Sequence, residues 1–192
     1  MHRFRAWPAV LILLFAGVQF AFATQATAAN RSQKSEDRSS PSLSREIHHQ
    51  ILLLPFYSVF DSINFTLEGK KVTLTGQVLR HSLKESAEAT VKSIEGVSVV
   101  VDQIEVLPSS ASDDELRRAV YRALYEDSTL ERYAIQNVPP VHIIVKGGNV
   151  MLEGSVESAS DKNLAGTRAA SVPNVAGLRN NLVVHPKESA AE

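Results

Sequence analysis

The chain of 192 residues contains no cysteine, which removes disulfides, thiolate chemistry and cysteine-based zinc sites together. Aromatic residues are sparse at 6%, and no basic excess exists, with 20 lysines and arginines facing 21 acidic residues. A protein that grips nucleic acid by its phosphates carries a basic footprint, so nucleic acid is not expected as a partner. Catalytic signatures are missing too. There is no GxSxG elbow, and the serine of EGSVES, Ser155, falls inside an alternating strand. The adjacent pair His48-His49 would point about 100° apart on a helix, and His81, His142 and His185 are scattered without an HExxH pattern. KGGNV, Lys146 to Val150, is the richest glycine stretch, but it joins two strands, whereas a phosphate loop leads from strand into helix. No catalytic residue, metal site or cofactor is assigned, and the chain does not read as an enzyme.

The N-terminus is a separate object. Arg3 and Arg5 precede an apolar run from Ala6 to Phe22, broken only by Pro8, Gly17 and Gln19, and small residues follow in ATQATAAN. This pattern predicts a secretory signal over residues 1–29, cleaved after Ala23, Ala28 or Ala29. The alternative is an uncleaved N-terminal membrane anchor, because the run nears spanning length. Export to the periplasm or beyond is the expectation. Residues 30–43, including RSQKSEDRSSPS, read as a polar linker, and 187–192 as a disordered tail.

Between them the chain repeats itself. VTLTGQV, Val72 to Val78, returns as VMLEGSV, Val150 to Val156, and the match runs without a gap from Val72–Val106 to Val150–Val184, with ten of those thirty-five positions identical. Ile63, Phe65, Leu67 and Gly69 extend it upstream against Val141, Ile143, Val145 and Gly147. Each copy predicts a helix, an alternating hairpin, a second helix and a last strand. The first helices start near Arg45 and at Ser112, where Ser112 and Glu115 form a capping box. Leu83, Ala87, Val91 and Ile94 mark the second helix of the first copy, and Ala165, Ala169 and Val172 that of the second. Closing strands are expected near Ser98–Val106 and Leu178–Val184. The fold class is α/β (α+β): two tandem α-β-β-α-β units, over 44–108 and 112–186, each a three-stranded mixed sheet covered by two helices.

The copies differ before the hairpin. Their first helices align at an offset of about 69, so the second copy has roughly nine more residues there, around STLERYAIQN. The first copy has PFYSVFDS, whose Phe56, Tyr57 and Phe60 are expected in the core or between the copies.

A VxLxGxV strand, a helix, and a hydrophobic-x-GV step about twenty residues after the glycine resembles the BON domain. Here the pattern is Gly76, then Ile94-Glu95-Gly96-Val97, closing at Val106; the second copy has Gly154, then Val172-Pro173-Asn174-Val175, closing at Val184. Asn174 departs from the pattern by replacing the glycine, and asparagine is the next best residue for a left-handed backbone. The resemblance implies a non-catalytic, exported envelope protein of bacteria. It further implies phospholipid binding at membrane surfaces, a role in osmotic or envelope stress, or periplasmic chaperone work. Gly76, Gly96 and Gly154 carry over as structural positions.

Neither copy is net basic, with 6 basic and 8 acidic residues in 42–108 and 8 basic and 9 acidic in 112–186. Attraction to anionic phospholipid therefore needs a local patch. The candidates for lipid or partner binding are Arg117, Arg118 and Arg122 on the first helix of the second copy, with Lys162 and Arg168 on its second. A solvated face paired with Asp114 and Glu126 is the competing expectation. The expected partner is an anionic phospholipid surface, contacted peripherally, or another envelope protein. Interior glycine weakens a strand unless another backbone comes close, and the first helix of each unit is the expected neighbour of Gly76 and Gly154.

Overall fold

The computed structural model describes residues 41–136 and 138–186. The signal segment, nearly all of the linker and the tail lie outside the described residues. Helix α1, described over 41–52, is already helical at Pro41, earlier than Arg45. There follow β1 (Ser62–Glu68), β2 (Lys71–Val78), α2 (His81–Ser93) and β3 (Val99–Val106). The second copy has α3 (Ala111–Tyr125), a 3-10 turn (Glu131–Ile135), β4 (Val141–Lys146), β5 (Asn149–Val156), α4 (Ala159–Ala170), β6 (Gly177–Asn180) and β7 (Val183–Val184). In each copy the hairpin is antiparallel and the strand after the crossover helix is parallel to the second, so the α-β-β-α-β reading holds twice.

Each sheet is packed on its own pair of helices. Ile47 and Ile51 from α1 and Leu83, Ala87 and Val91 from α2 meet Val72, Leu74 and Ile104. Leu116, Val120 and Leu124 from α3 with Ala165 and Ala169 from α4 meet Ile143, Val145 and Leu152. These are the apolar positions that recur at helical and alternating spacing in the sequence.

Two local expectations change. The cap of α3 is Ser110, whose hydroxyl accepts from the Asp113 amide at 3.3 Å. The helix therefore starts two residues before the Ser112 box and spans 15 residues. Asp113 lies buried, and its carboxylate accepts from the amides of Gly147 and Gly148 at 2.8 and 2.9 Å. It clamps the β4–β5 turn to the start of α3. The closing strand of the second copy is broken at Asn181 and Leu182, where the Asn180 side chain accepts from the Leu182 amide at 3.2 Å and donates to the Lys162 carbonyl at 2.8 Å. The Asn181 amide still donates to the Leu152 carbonyl at 2.9 Å, so one ladder bond spans the break.

The repeated glycines answer to a strand, not to a helix. At Gly76, with φ +120°, an added Cβ would lie 2.1 Å from the carbonyl oxygen of Ser62; at Gly154, with φ +99°, it would lie 1.9 Å from that of Pro140. Ser62 and Pro140 are the residues where the chain enters β1 and β4, and both are 14 residues before their glycine. The approach expected from the first helix thus comes from the neighbouring strand's own backbone. Gly96 has φ +97°, and Asn174 at the matching position has φ +69°, so both copies turn left-handed there.

Candidate functional site

The copies meet along the segment that leads into β1. The Ile143 amide donates to the Val59 carbonyl at 2.8 Å, and Val59 is buried in the core of the second copy rather than its own. Burying such a side chain contributes about 2 kcal/mol. Phe60 packs edge-on against Tyr121 of α3, centroids 6.1 Å apart, and the Tyr57 ring lies 5.5 Å from that of His142. Ser62 donates to Glu153 at 2.6 Å and Asn64 to the same carboxylate at 3.2 Å. Lys146 and Glu105 pair across the junction in the open, which holds the Glu105 carboxyl below its usual range but adds little to stability. Of the three aromatics, Tyr57 and Phe60 serve inter-copy packing. Phe56 does not: it is 71% exposed, at φ +66°, with the Arg80 guanidinium 4.9 Å over its ring.

β4 is therefore covered on both faces. Val141, Ile143 and Val145 face its helices, while His142 and Ile144, on the opposite side, are also buried. Burial pushes the His142 pKa down against the pull of the nearby backbone at Asp61 and Ser58. Burial likewise raises Tyr57 to about 12. Both groups stay neutral at physiological pH.

The five predicted cationic residues separate into four situations. Arg117 is 2% exposed: it pairs with Asp114 and donates to the Val145 carbonyl at 2.6 Å, so it is a buried cap on β4 and not part of any outer surface. Arg168, on α4, is bound by the Asp127 carboxylate at 2.6 Å. Lys162 is half-buried on the same helix. Arg118 and Arg122 remain. They are exposed, lie one helical turn apart, and form no ion pair among the described residues. With Phe60 and Tyr121 they surround a shallow depression of about 320 Å³. No contact joins Lys162 or Arg168 to this pair among the described residues.

A second concavity, about 470 Å³, opens between the copies. Its walls are Ile51 and Leu52 of α1, residues 62–65 of β1, and Val138, Pro139 and Pro140 on the way into β4, with His142 at the junction. Sequence reasoning missed this cleft, because it lies between copies whose packing the repeat does not encode. Among the described residues no group of three or more potential metal ligands forms, and no helix is long and apolar enough to cross a membrane.

Two α-β-β-α-β modules packed into one unit, with a cationic depression and a cleft near their junction, define a tandem two-domain protein. The BON domain matches residues 59–108 and 112–186, and the chain belongs to the BON domain family. That family is generally non-catalytic and occurs in envelope and periplasmic proteins. No curated protein sequence matches the chain. Among solved structures, the C-terminal domain of CdsD, the structural protein of the type III secretion system of Chlamydia trachomatis, is similar at 12% identity, over 74% of this chain and 96% of that one, with a TM-score of 0.32. A second structure of CdsD is similar at 13% identity over 77% and 94%, with a TM-score of 0.27.

Proposed function

We propose that the protein is an exported envelope module that binds anionic phospholipid surfaces peripherally through Arg118 and Arg122, in support of envelope integrity or the osmotic stress response. One observation carries this reading: two exposed arginines with no carboxylate partner among the described residues flank the aromatic rings of Phe60 and Tyr121. Cations beside amphipathic rings match the interface between headgroups and acyl chains. The signal over residues 1–29 would deliver the chain to the periplasm.

Vesicle flotation with and without phosphatidylglycerol tests it. Binding should require the anionic lipid and weaken with salt. Each arginine near such a surface contributes about 1 kcal/mol, so Arg118→Glu with Arg122→Glu should lower binding at least about thirtyfold. Binding that ignores lipid charge, or survives the double variant, sinks the reading.

The alternative is a chaperone or an adaptor to another envelope protein, which Phe56 and Leu53 favour by their exposure of 71% and 61%. Phe56→Ser should then abolish suppression of client aggregation, or copurification of the partner, without changing flotation.

A further inference from the structure

A hairpin closed by a two-residue turn fixes which backbone groups face outward. Glu68 and Lys71 flank one such turn and Lys146 and Asn149 the other, so each pair exchanges hydrogen bonds within its hairpin. By alternation, Ile63, Phe65 and Leu67 on β1 and Val141, Ile143 and Val145 on β4 turn their amides and carbonyls to the outer edge.

On β4 three of the six groups on that edge are taken. Tyr125 donates its hydroxyl to the Val141 carbonyl at 2.7 Å, the Ile143 amide is taken by Val59, and Arg117 caps the Val145 carbonyl. On β1 the Ile63 amide meets the Tyr57 hydroxyl at 3.4 Å, and the outward groups of Phe65 and Leu67 have no partner among the described residues. Edge strands are usually blunted by lysine, proline or a covering element. SINFTLE has no lysine or proline, and its single charge, Glu68, is at its end. The open edge runs along the 470 Å³ cleft, whose described lining residues include no Asp, Glu, Lys or Arg in a chain that is 21% charged.

We propose that the open edge of β1 is a pairing site for an extended, uncharged polypeptide segment of a partner, which adds as a strand within the cleft between the copies. A row of peptide donors and acceptors is matched by another peptide, and a hydrocarbon chain would leave it unpaired. No Asp, Glu, Lys or Arg is among the described lining residues, and the neighbouring Glu153 carboxylate is already taken by Ser62 and Asn64, which selects against charged side chains on the incoming strand. A second copy is the poorer fit, since its own β1 shares a cleft wall with Leu52 and Pro139 in the same way. The inference stands apart from the phospholipid reading.

The test uses the full chain and a short fluorescein-labelled peptide of alternating valine and threonine, read by anisotropy. Two further versions carry backbone N-methyl groups, on the valines or on the threonines. Saturable binding is expected, reduced about tenfold or more by one methylation pattern and nearly unchanged by the other, because only alternate amides pair with β1. Asn64→Lys and Leu52→Glu, at positions exposed enough to keep the fold, should each weaken binding about tenfold. Arg118→Glu with Arg122→Glu should leave it unchanged while weakening vesicle binding as above, which separates the two readings. Absence of binding, or equal effects of the two methylation patterns, overturns the proposal. So does a dimer of the free protein that Asn64→Lys dissociates, which would assign the edge to a second copy.

Discussion

In both copies the amide just beyond the second strand must find a partner inside. Leu79 donates to the Asp61 carboxylate at 2.8 Å; Glu157, 78 residues later, donates to the Tyr133 hydroxyl at 2.8 Å. The backbone need is the same and the residues that meet it are unrelated. The second copy spends its longer connection on this: Tyr133, on the 3-10 turn, also donates to Asp161 at 2.9 Å, and Arg132 joins that carboxylate at 2.6 Å. The sheet edges diverge further. At the offset of 69 that aligns the first helices, Arg117 corresponds to His48, which lines the cleft and caps nothing. Repetition preserves the ladder and the crossover, and leaves the edges open to separate specialisation.

The strongest way to break the comparison is at the glycine both copies share. Gly76→Val and Gly154→Val each force a Cβ into a carbonyl oxygen at positive φ, and each should cost at least about 3 kcal/mol in melting experiments. Similar losses are expected from the two, because the clash is the same; loss from one alone would mean that only one copy is built this way. Arg117→Met comes next. It strips the cap from Val145 and should cost about 2 kcal/mol in denaturant unfolding, whereas His48→Met in the first copy should stay within about 0.5 kcal/mol. The smallest effect is acid sensitivity. Although burial pushes the Asp161 carboxyl up, hydrogen bonds from Ser158 and Tyr133 and the Arg132 guanidinium hold it below its ordinary value of 3.8. A depressed carboxyl contributes stability that is complete above 3.8 and drains away as pH falls through the lowered value. The melting temperature of Asp161→Asn should accordingly fall less steeply below about pH 4 than that of the parent.

Much of this was legible because it rests on local spacing. Alternation marked the hairpins, helical spacing marked α2 and α3, and the 78-residue offset marked two units. The N-cap moved from Ser112 to Ser110 because both serines satisfy the same short pattern, and only the backbone distinguishes them. VHIIV carried an unused signal: unlike INFTL, whose second face is Asn64 and Thr66, it places the apolar Ile144 beside His142 on its second face, which leans toward a strand buried on both sides. The candidate site was less legible. Arg117, Arg118 and Arg122 look alike in sequence, and their fates depend on whether each points at β4 or away from it. The cleft depends on Val59 crossing into the other core, which no spacing announces.

The central claim is that one edge is partly held by its own chain and its repeat is open, and amide hydrogen exchange of the Phe65 and Ile143 backbone compares them directly. Ile143 should exchange slowly and Phe65, at the equivalent position, far faster, with Phe65 gaining protection when the valine–threonine peptide is added. Equal protection of the two amides in the free protein would contradict the account.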